Sequence, residues 1–376
     1  MKDVRIQILS QMEIHGVKQK DIADLIGLDR SSASKYFTGN STLPFVSLLK
    51  IAQYFYGEDY KEILYKWRGE IVLPYSYKQA LEFSAISGDN RFLRDLLDNV
   101  PVWNRNAEKF AEVYELIYAM KTGKLNGPEL SEAARGMKLT KYDEVNVLLR
   151  IIEAYGAFMD GRYTAMYELS RSVEGRIQTL PDPFIRECFM VRLAEMYSHG
   201  YLQRNDLKKA RYYAGIVTQC SFADKLRSNA FYVLGMSYFF ESETECLTNL
   251  QSAYNTLKGT NASDHLLEYA LYNIEFGRVH FGLETNPSAI GNKAYAAALS
   301  GDYELTKALL DEENEPGPFA TYFLGLASGD PDVLWNSIGE FMAQGDIYFA
   351  QLPQKQLCRL GERKSALRAV TKLRCS

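Results

Sequence analysis

Residues Lys18 to Asn40 read KQKDIADLIGLDRSSASKYFTGN, and this stretch decides how the chain is organised. Ile22, Ala23 and Ile26 fall on one side of a helix that opens at Gln19 and runs to Ile26. Gly27 permits a tight turn because it carries no Cβ. Asp29 is placed to cap a following helix, Arg30 to Phe37, since its carboxylate can accept from the free amides of the first turn. Gly39 ends that helix. Working outward, Val4, Ile8, Leu9 and Met12 form a stripe that gives an earlier amphipathic helix ending at Gly16. Downstream, Pro44 is expected in the first turn of a fourth helix, FVSLLKIAQYF, where its missing N–H does no harm. That helix packs Val46, Leu49, Ile51, Ala52 and Phe55.

The remainder of the chain has a different grammar. From Tyr75 onward no convincing strand is present, and an apolar-periodic helix, a small polar turn and a second helix recur. Examples are ALEFSAISGDNRFLRDLL (Ala80 to Leu97), YGAFMDGRYTAMYELS (Tyr155 to Ser170), MYSHGYLQRNDLKKARYYA (Met196 to Ala214), AYAAALSGDYELTKALL (Ala294 to Leu310) and YFLGLASGDPDVLWNSI (Tyr322 to Ile338). The turn is Gly-Asp or a variant of it at Gly88-Asp89, Asp160-Gly161, Asn205-Asp206, Gly301-Asp302 and Gly329-Asp330. Glycine can end one helix in the left-handed conformation, and the aspartate can cap the next. The pattern resembles degenerate tetratricopeptide-type repeats, whose period is about 34 residues. SNAFYVLGMSYFF (Ser228 to Phe240) comes closest. The 26 tyrosines and 19 phenylalanines suit such an array, because bulky rings fill the space between stacked helices.

The expected fold class is therefore all-α: an N-terminal helix-turn-helix domain over 1–70, then a right-handed TPR-like helical-repeat superhelix over 74–376. We expect roughly seven to nine helical hairpins, each burying its apolar face only against its neighbours. Leu73-Pro74 marks the domain boundary. Gly127-Pro128, Leu180-Pro181-Asp182-Pro183, Lys258 to Asp264 and Glu312 to Pro318 read as loops within the array.

Composition excludes several functions. A net charge of −4 means that any nucleic-acid contact must come from a local basic surface. Asp21, Asp24 and Asp29 weaken the field of the first helices, which favours the rival in which they bind protein or only cap a dimer. The start, MKDVRIQILSQMEIHG, has charges inside its apolar pattern and no cleavage site, so it does not read as a signal peptide. No run approaches the ~20 apolar residues needed to span a bilayer, so no membrane partner and a cytoplasmic location are expected. Cys188, Cys220, Cys246, Cys358 and Cys375 are scattered, with no CxxC pair, and read as free thiols. His15, His199, His265 and His280 lack ligand spacing, so no metal and no cofactor are expected. No HExxH, P-loop, GxSxG or post-strand GxGxxG occurs, and no enzyme is expected.

The first four helices resemble the phage-repressor-like (Cro-type) helix-turn-helix over roughly Val4 to Tyr65. Gln19, Ala23, Gly27, the run Arg30-Ser31-Ser32-Ala33-Ser34-Lys35, Gly39 and LLKIA at Leu48 to Ala52 carry the resemblance. It implies that the third helix enters the major groove of double-stranded DNA. Arg30, Ser31, Ser34 and Lys35 would then face base edges, and Gln19 would bind a phosphate.

A helix-turn-helix joined to such repeats resembles the peptide-pheromone receptors of the Rap/NprR/PlcR type, and most of all the arbitrium receptors of temperate Bacillus phages. The local matches are Lys141 to Ser170, Val191 to Ala210, Phe231 to Phe240 and Thr321 to Pro353. The resemblance implies a homodimer held partly by C-terminal helices, acting in the bacterial host cytoplasm. Without peptide it would bind a two-part operator and activate a lysis-promoting transcript. A short communication peptide of about six residues would bind the repeat groove and switch this off, turning the phage to lysogeny. Arg192 and Asp346 match the family pattern, and the Asp346 carboxylate could hold a peptide arginine. Phe349 follows as an apolar wall. Position alone adds Arg227, Asn229, Tyr232, Asn273 and Tyr322 as peptide-binding candidates. Some relatives have Asn where this chain has Val233, which implies a different peptide. Rival readings are a regulator with no peptide ligand, a quorum-sensing regulator of the bacterial host, and a Rap-like protein-binding scaffold.

Overall fold

A computed structural model describes residues 4–101, 105–260, 262–284, 286–313 and 317–362. Cys375 and parts of the expected loops at 258–264 and 312–318 lie outside the described residues. Among the described residues the regular structure is all helix, with no strand. By its internal contacts the chain forms two compact units, each described by itself below.

The first unit comprises residues 1–156 and 169–190. It opens with α1 (Val4–His15), α2 (Gln19–Ile26), α3 (Arg30–Phe37) and α4 (Phe45–Tyr56). The expected stripe is buried at Val4, Ile8 and Met12, while Leu9 is half-buried. The turn between α2 and α3 is the expected one. Gly27 stands at φ +72°, and its N–H and that of Leu28 close back onto the end of α2. Asp29 caps α3: its carboxylate accepts from the Ser32 N–H at 3.0 Å and from the Ser32 hydroxyl at 2.7 Å. Pro44 differs from expectation by one position, standing at the N-cap of α4 rather than inside its first turn. A proline cannot cap with a side chain, and the Ser76 hydroxyl supplies that function by accepting from the Phe45 N–H at 3.1 Å.

Ser76 belongs to α6 (Pro74–Ser87), which follows α5 (Tyr60–Lys66). Then come α7 (Asn90–Asp98), α8 (Arg105–Lys121), α9 (Gly127–Gly136) and most of α10 (Asp143–Met159), with parts of α11 (Tyr163–Gln178) and α12 (Pro183–Gln203). Phe45 packs against Phe83 of α6 and Phe184 of α12, with ring centroids 5.4 and 6.4 Å apart. Lys78 of α6 pairs with Glu144 at 2.5 Å and Asp182 at 3.3 Å, and all three are largely shielded from water. Such a charge is tolerable inside only because it is paired. The compact units thus do not divide at Leu73-Pro74. The first seventy residues pack with the repeat helices that follow them.

The second unit comprises residues 157–168 and everything from 191 on. It holds the rest of α10 to α12, then α13 (Leu207–Thr218), α14 (Asp224–Ser237), α15 (Glu243–Lys258) and α16 (Asp264–His280). It continues with α17 (Ile290–Ser300), α18 (Tyr303–Glu313), α19 (Pro318–Ser328), α20 (Pro331–Ala343) and α21 (Gln351–Arg359). Pairs such as α14 with α15, α17 with α18 and α19 with α20 are the expected hairpins. Their turns use the expected chemistry: Gly301 and Gly329 stand at φ +77° and +67°, and Asp302 and Asp330 accept from the amides of Leu305 and Asp332. Rings fill the space between helices. Phe239 meets Phe276 at 5.2 Å, Phe276 meets Tyr295 at 5.3 Å, and Tyr295 stacks on Phe323 at 4.7 Å. Each such pair adds roughly 0.5–1.5 kcal/mol beyond its buried area, which offsets an irregular repeat consensus.

Candidate functional site

Two surfaces, one in each unit, carry the sequence candidates. In the first unit α3 buries Ala33, Tyr36 and Phe37 on one side. Arg30, Ser31, Ser34 and Lys35 lie on the other, and Gln19 opens α2; all five are exposed. The Arg5 guanidinium closes over Gly39 just past α3, so close that a Cβ at Gly39 would lie 1.9 Å from its Nη1. Anchored at both ends, α3 presents two cations and two hydroxyls to solvent, a donor-rich face of the type that meets base edges and phosphates.

In the second unit the site grows from α12. Arg192 and Glu195 stand nearly one turn apart and are almost wholly buried, at 3% and 4% exposure. Arg192 is engaged within the protein rather than presented freely. Glu195 accepts from Asn229 Nδ2 of α14 at 2.8 Å. One turn beyond Glu195, the His199 ring lies 6.0 Å from Tyr232, which in turn lies 6.2 Å from Tyr269. Burial holds the His199 imidazole below its usual range, and the nearby Glu195 carboxylate opposes this only in part. Burial also pushes the Tyr232 hydroxyl well above its usual range, with the neighbouring Tyr269 and the Asp346 charge adding to the effect. The carbonyl of Gln203, the last residue of α12, accepts from the amides of Ile347 at 2.8 Å and Tyr348 at 3.0 Å. This fixes the turn that carries Asp346.

Asp346 accepts from the Phe349 N–H at 2.9 Å. Burial raises its carboxyl to about 6, and the backbone bonds from Phe349 and Tyr348 only partly counter it. No cationic side chain of the described residues offsets that burial. Tyr163, which hydrogen-bonds Gln203, also feels the Asp346 charge. The Gln203 side-chain oxygen is buried and has no donor among the described residues. Asn229 and Tyr232 thus meet α12 through Glu195 and His199, the Asp346 turn meets it through Gln203, and Arg192 stands on the same helix nearly one turn from Glu195. Glu195, His199, Gln203, Tyr163 and Tyr269 belong with them and were not singled out from the sequence. Only the one-turn spacing of Glu195, His199 and Gln203 along the Arg192 helix could have flagged them.

Four candidates stand elsewhere. Arg227 pairs with Asp224 at 3.3 Å, and its buried Nε has no partner among the described residues. Asn273 donates to the Tyr269 carbonyl of its own helix at 2.8 Å. Phe349 is 7% exposed and packs on Phe239, Phe276 and Phe319, so it is core more than wall. Tyr322 lines a separate cavity beside Tyr295. Val233 is fully buried. Among the described residues no cluster of His, Cys, Asp and Glu has the form of a metal site, and no helix is long and apolar enough to cross a membrane.

The family model described as AimR transcriptional regulator-like matches residues 70–359. This chain belongs to the AimR-like family. The matched residues contain every AimR-like ligand-site candidate and begin after α4, so α3 stands on its own sequence and geometry. The AimR transcriptional regulator of Bacillus phage phi3T is 25% identical over 305 residues, covering 76% of this chain and 77% of the relative. An uncharacterized Bacillus anthracis protein, pXO2-35, is 24% identical over 258 residues, covering 64% of this chain and 93% of the relative. The solved structure of selenomethionine phAimR superposes with a TM-score of 0.77 at 20% identity, covering 98% of this chain and all of that one. The phAimR–ligand structure gives 0.70 at 22% identity, over 83% and 96%. The AimR fold therefore extends over α1 to α4 as well as the repeats. A family of transcriptional regulators also agrees with the expectation that this chain is not an enzyme.

Proposed function

We propose that this AimR-like chain is a DNA-binding transcriptional regulator whose repeats read a short peptide. The observation that carries the DNA half is α3: a helix capped by Asp29, buried on its Ala33–Tyr36–Phe37 side, with Arg30, Ser31, Ser34 and Lys35 exposed on the other. Two cations among nearby aspartates give one head weak attraction for phosphate. A homodimer presenting two heads to a two-part operator would restore affinity through effective concentration. The functional division then runs between a reading head over 1–70 and a sensor over 74–376, acting in the cytoplasm of a bacterial host.

The peptide half rests on the Arg192–Asn229–Tyr232–Asp346 cluster. A carboxyl raised to about 6, with no cation beside it and no donor to the Gln203 oxygen among the described residues, is matched by a guanidinium or ammonium. Arg227, Asn273 and Phe349 would serve at the margins, while Tyr322 lines a cavity of its own. One relative named as an AimR transcriptional regulator, and a phAimR structure named for a ligand, support this reading. The finer proposal is that peptide binding silences a lysis-promoting transcript and turns a phage to lysogeny. The B. anthracis relative favours a second setting, in which the same switch serves a bacterial host.

The test is fluorescence anisotropy on DNA from the chain's own upstream region, with synthetic six-residue peptides cut from the neighbouring secreted reading frame as titrants. Arg30→Ala with Lys35→Ala should abolish specific DNA binding and leave peptide binding intact. DNA binding unchanged in that variant would remove α3 as the reader. Peptide affinity unchanged in both Arg192→Ala and Asp346→Ala would remove the cluster.

A further inference from the structure

Outside the cluster just described, one cavity of the second unit has chemistry of its own. It has a volume of about 180 Å³ and opens against α21. Leu299, Leu326, Leu352 and Phe240 make apolar walls. Its polar side is unusual. Lys355 and Arg359 stand one turn apart on α21, both line the cavity, and no carboxylate of the described residues pairs with either. The Lys355 ammonium sits 3.8 Å over the Phe240 ring, and both cations stand at the mouth of the cavity, exposed to solvent. Opposite, the hydroxyl of Tyr295 lies 2.8 Å from His280 Nδ1 and hydrogen-bonds Tyr322, and both tyrosines are nearly wholly buried.

Like charges one turn apart repel, and nothing in the described residues neutralises these two. Burial is the main force that opposes a charge on His280 and on Lys355; Lys355 and Arg359 add to it at His280, and Arg359 adds to it at Lys355. A cavity with apolar walls, two uncompensated cations at its edge and hydroxyl donors on its floor is complementary to one kind of guest. We propose that this cavity binds a small oxyanion, carboxylate or phosphate, carried on a compact apolar body, with Arg359 and Lys355 holding the head group and the Tyr322 hydroxyl donating to it. The site is distinct from the Asp346 cluster, which has the opposite charge. The Phe239 ring stands between them, 3.9 Å from His280 and 5.8 Å from Phe349.

The test uses the full chain and calorimetric titration at constant ionic strength with four probes: benzoate, phenyl phosphate, inorganic phosphate and benzamide. Benzoate and phenyl phosphate separate the two head groups, and the tighter of them is the class of guest. One or both should bind saturably at one site. Inorganic phosphate should bind about tenfold more weakly for want of an apolar body, and neutral benzamide should not bind. Arg359→Gln with Lys355→Gln should weaken the aromatic anion at least about tenfold, and among the described residues neither side chain has an ion pair whose loss would unfold the chain. Leu326→Trp, which fills the cavity and keeps both cations, should block binding too. Absence of saturable binding by both aromatic anions, or affinity unchanged in the charge variant, overturns the site. Binding lost in the charge variant but kept in Leu326→Trp would make it surface charge attraction, which also overturns it.

Discussion

Asp346 shows how a single carboxyl can report its guest. Its folded value of about 6 lies above the ~3.9 of an unfolded chain, so the folded state holds the proton more tightly. The stability this confers is fully present below about pH 4 and is lost as pH rises through 6. The gap between the two values corresponds to roughly 3 kcal/mol at most. Asp346→Asn should therefore lose less stability than the parent between pH 4 and 7, measured by urea midpoints. His199 and His280 act the other way, since both are held below 6.5, His280 at about 4. Their contribution is present above pH 6.5 and falls away on acidification, and it is the same in both proteins. A cationic peptide reverses the balance at Asp346 by favouring the carboxylate and releasing its proton. Peptide affinity should rise several-fold from pH 5 to 7 and be flat in Asp346→Asn; a flat parent profile would take Asp346 out of the contact. Tyr163 and Tyr232, which face it, titrate too high to blur this window. Gly235 is a steric counterpart. A Cβ there would lie 2.8 Å from Leu250 Cγ and 3.0 Å from the Cys246 carbonyl. Gly235→Ala should separate α14 from α15 and cost about 1–3 kcal/mol in denaturant unfolding.

At the scale of elements, much was legible. The Gly-Asp turns combine a left-handed stop with an aspartate cap, both written in adjacent residues, and Asp89 and Asp302 cap as their position implied. So was α3, whose boundaries follow from Asp29 and Gly39. What was not legible depends on partners far away in sequence. Nothing about Ser76 announces that it caps α4 across 31 residues, and nothing about Gln203 announces that its carbonyl anchors the turn of Asp346. Serine and glutamine are common, and their role comes from tertiary placement. The candidates read from position alone divided for the same reason. Asn229 and Tyr232 face the cluster, while Asn273 turned to its own helix and Phe349 to the core. Ser76 offers a direct test of the joint between head and repeats. Ser76→Ala leaves the buried Phe45 N–H without an acceptor, which should cost about 1–3 kcal/mol. Thermal unfolding followed by the fluorescence of buried Trp67, which packs on Tyr56 of α4, should show the loss; an unchanged midpoint would mean another acceptor takes over.

At the scale of the molecule, α12 is a single helix with a foot in each unit. Asp182 caps its start, where Phe184 packs on Phe45 of α4, while Arg192, Glu195, His199 and Gln203 carry the ligand cluster further along. The first unit holds the head and the second the cluster, so any influence of peptide on DNA is an energetic coupling between two separate sites. Such coupling is reciprocal: if saturating peptide weakens operator binding by some factor, saturating operator must weaken peptide binding by the same factor. Typical couplings of about 1–3 kcal/mol give roughly 5- to 150-fold. Met190→Gly places a flexible residue in α12 where the units divide, at a helix cost of about 1 kcal/mol. If α12 transmits the signal, this variant should bind peptide and operator separately with near-parental affinity while the coupling factor falls toward one in both directions. Titrating each ligand at saturation of the other measures it. A parental coupling factor in Met190→Gly would exclude α12 as the route. Unequal factors in the parent would mean that a third equilibrium, most simply dimer dissociation, takes part in the switch.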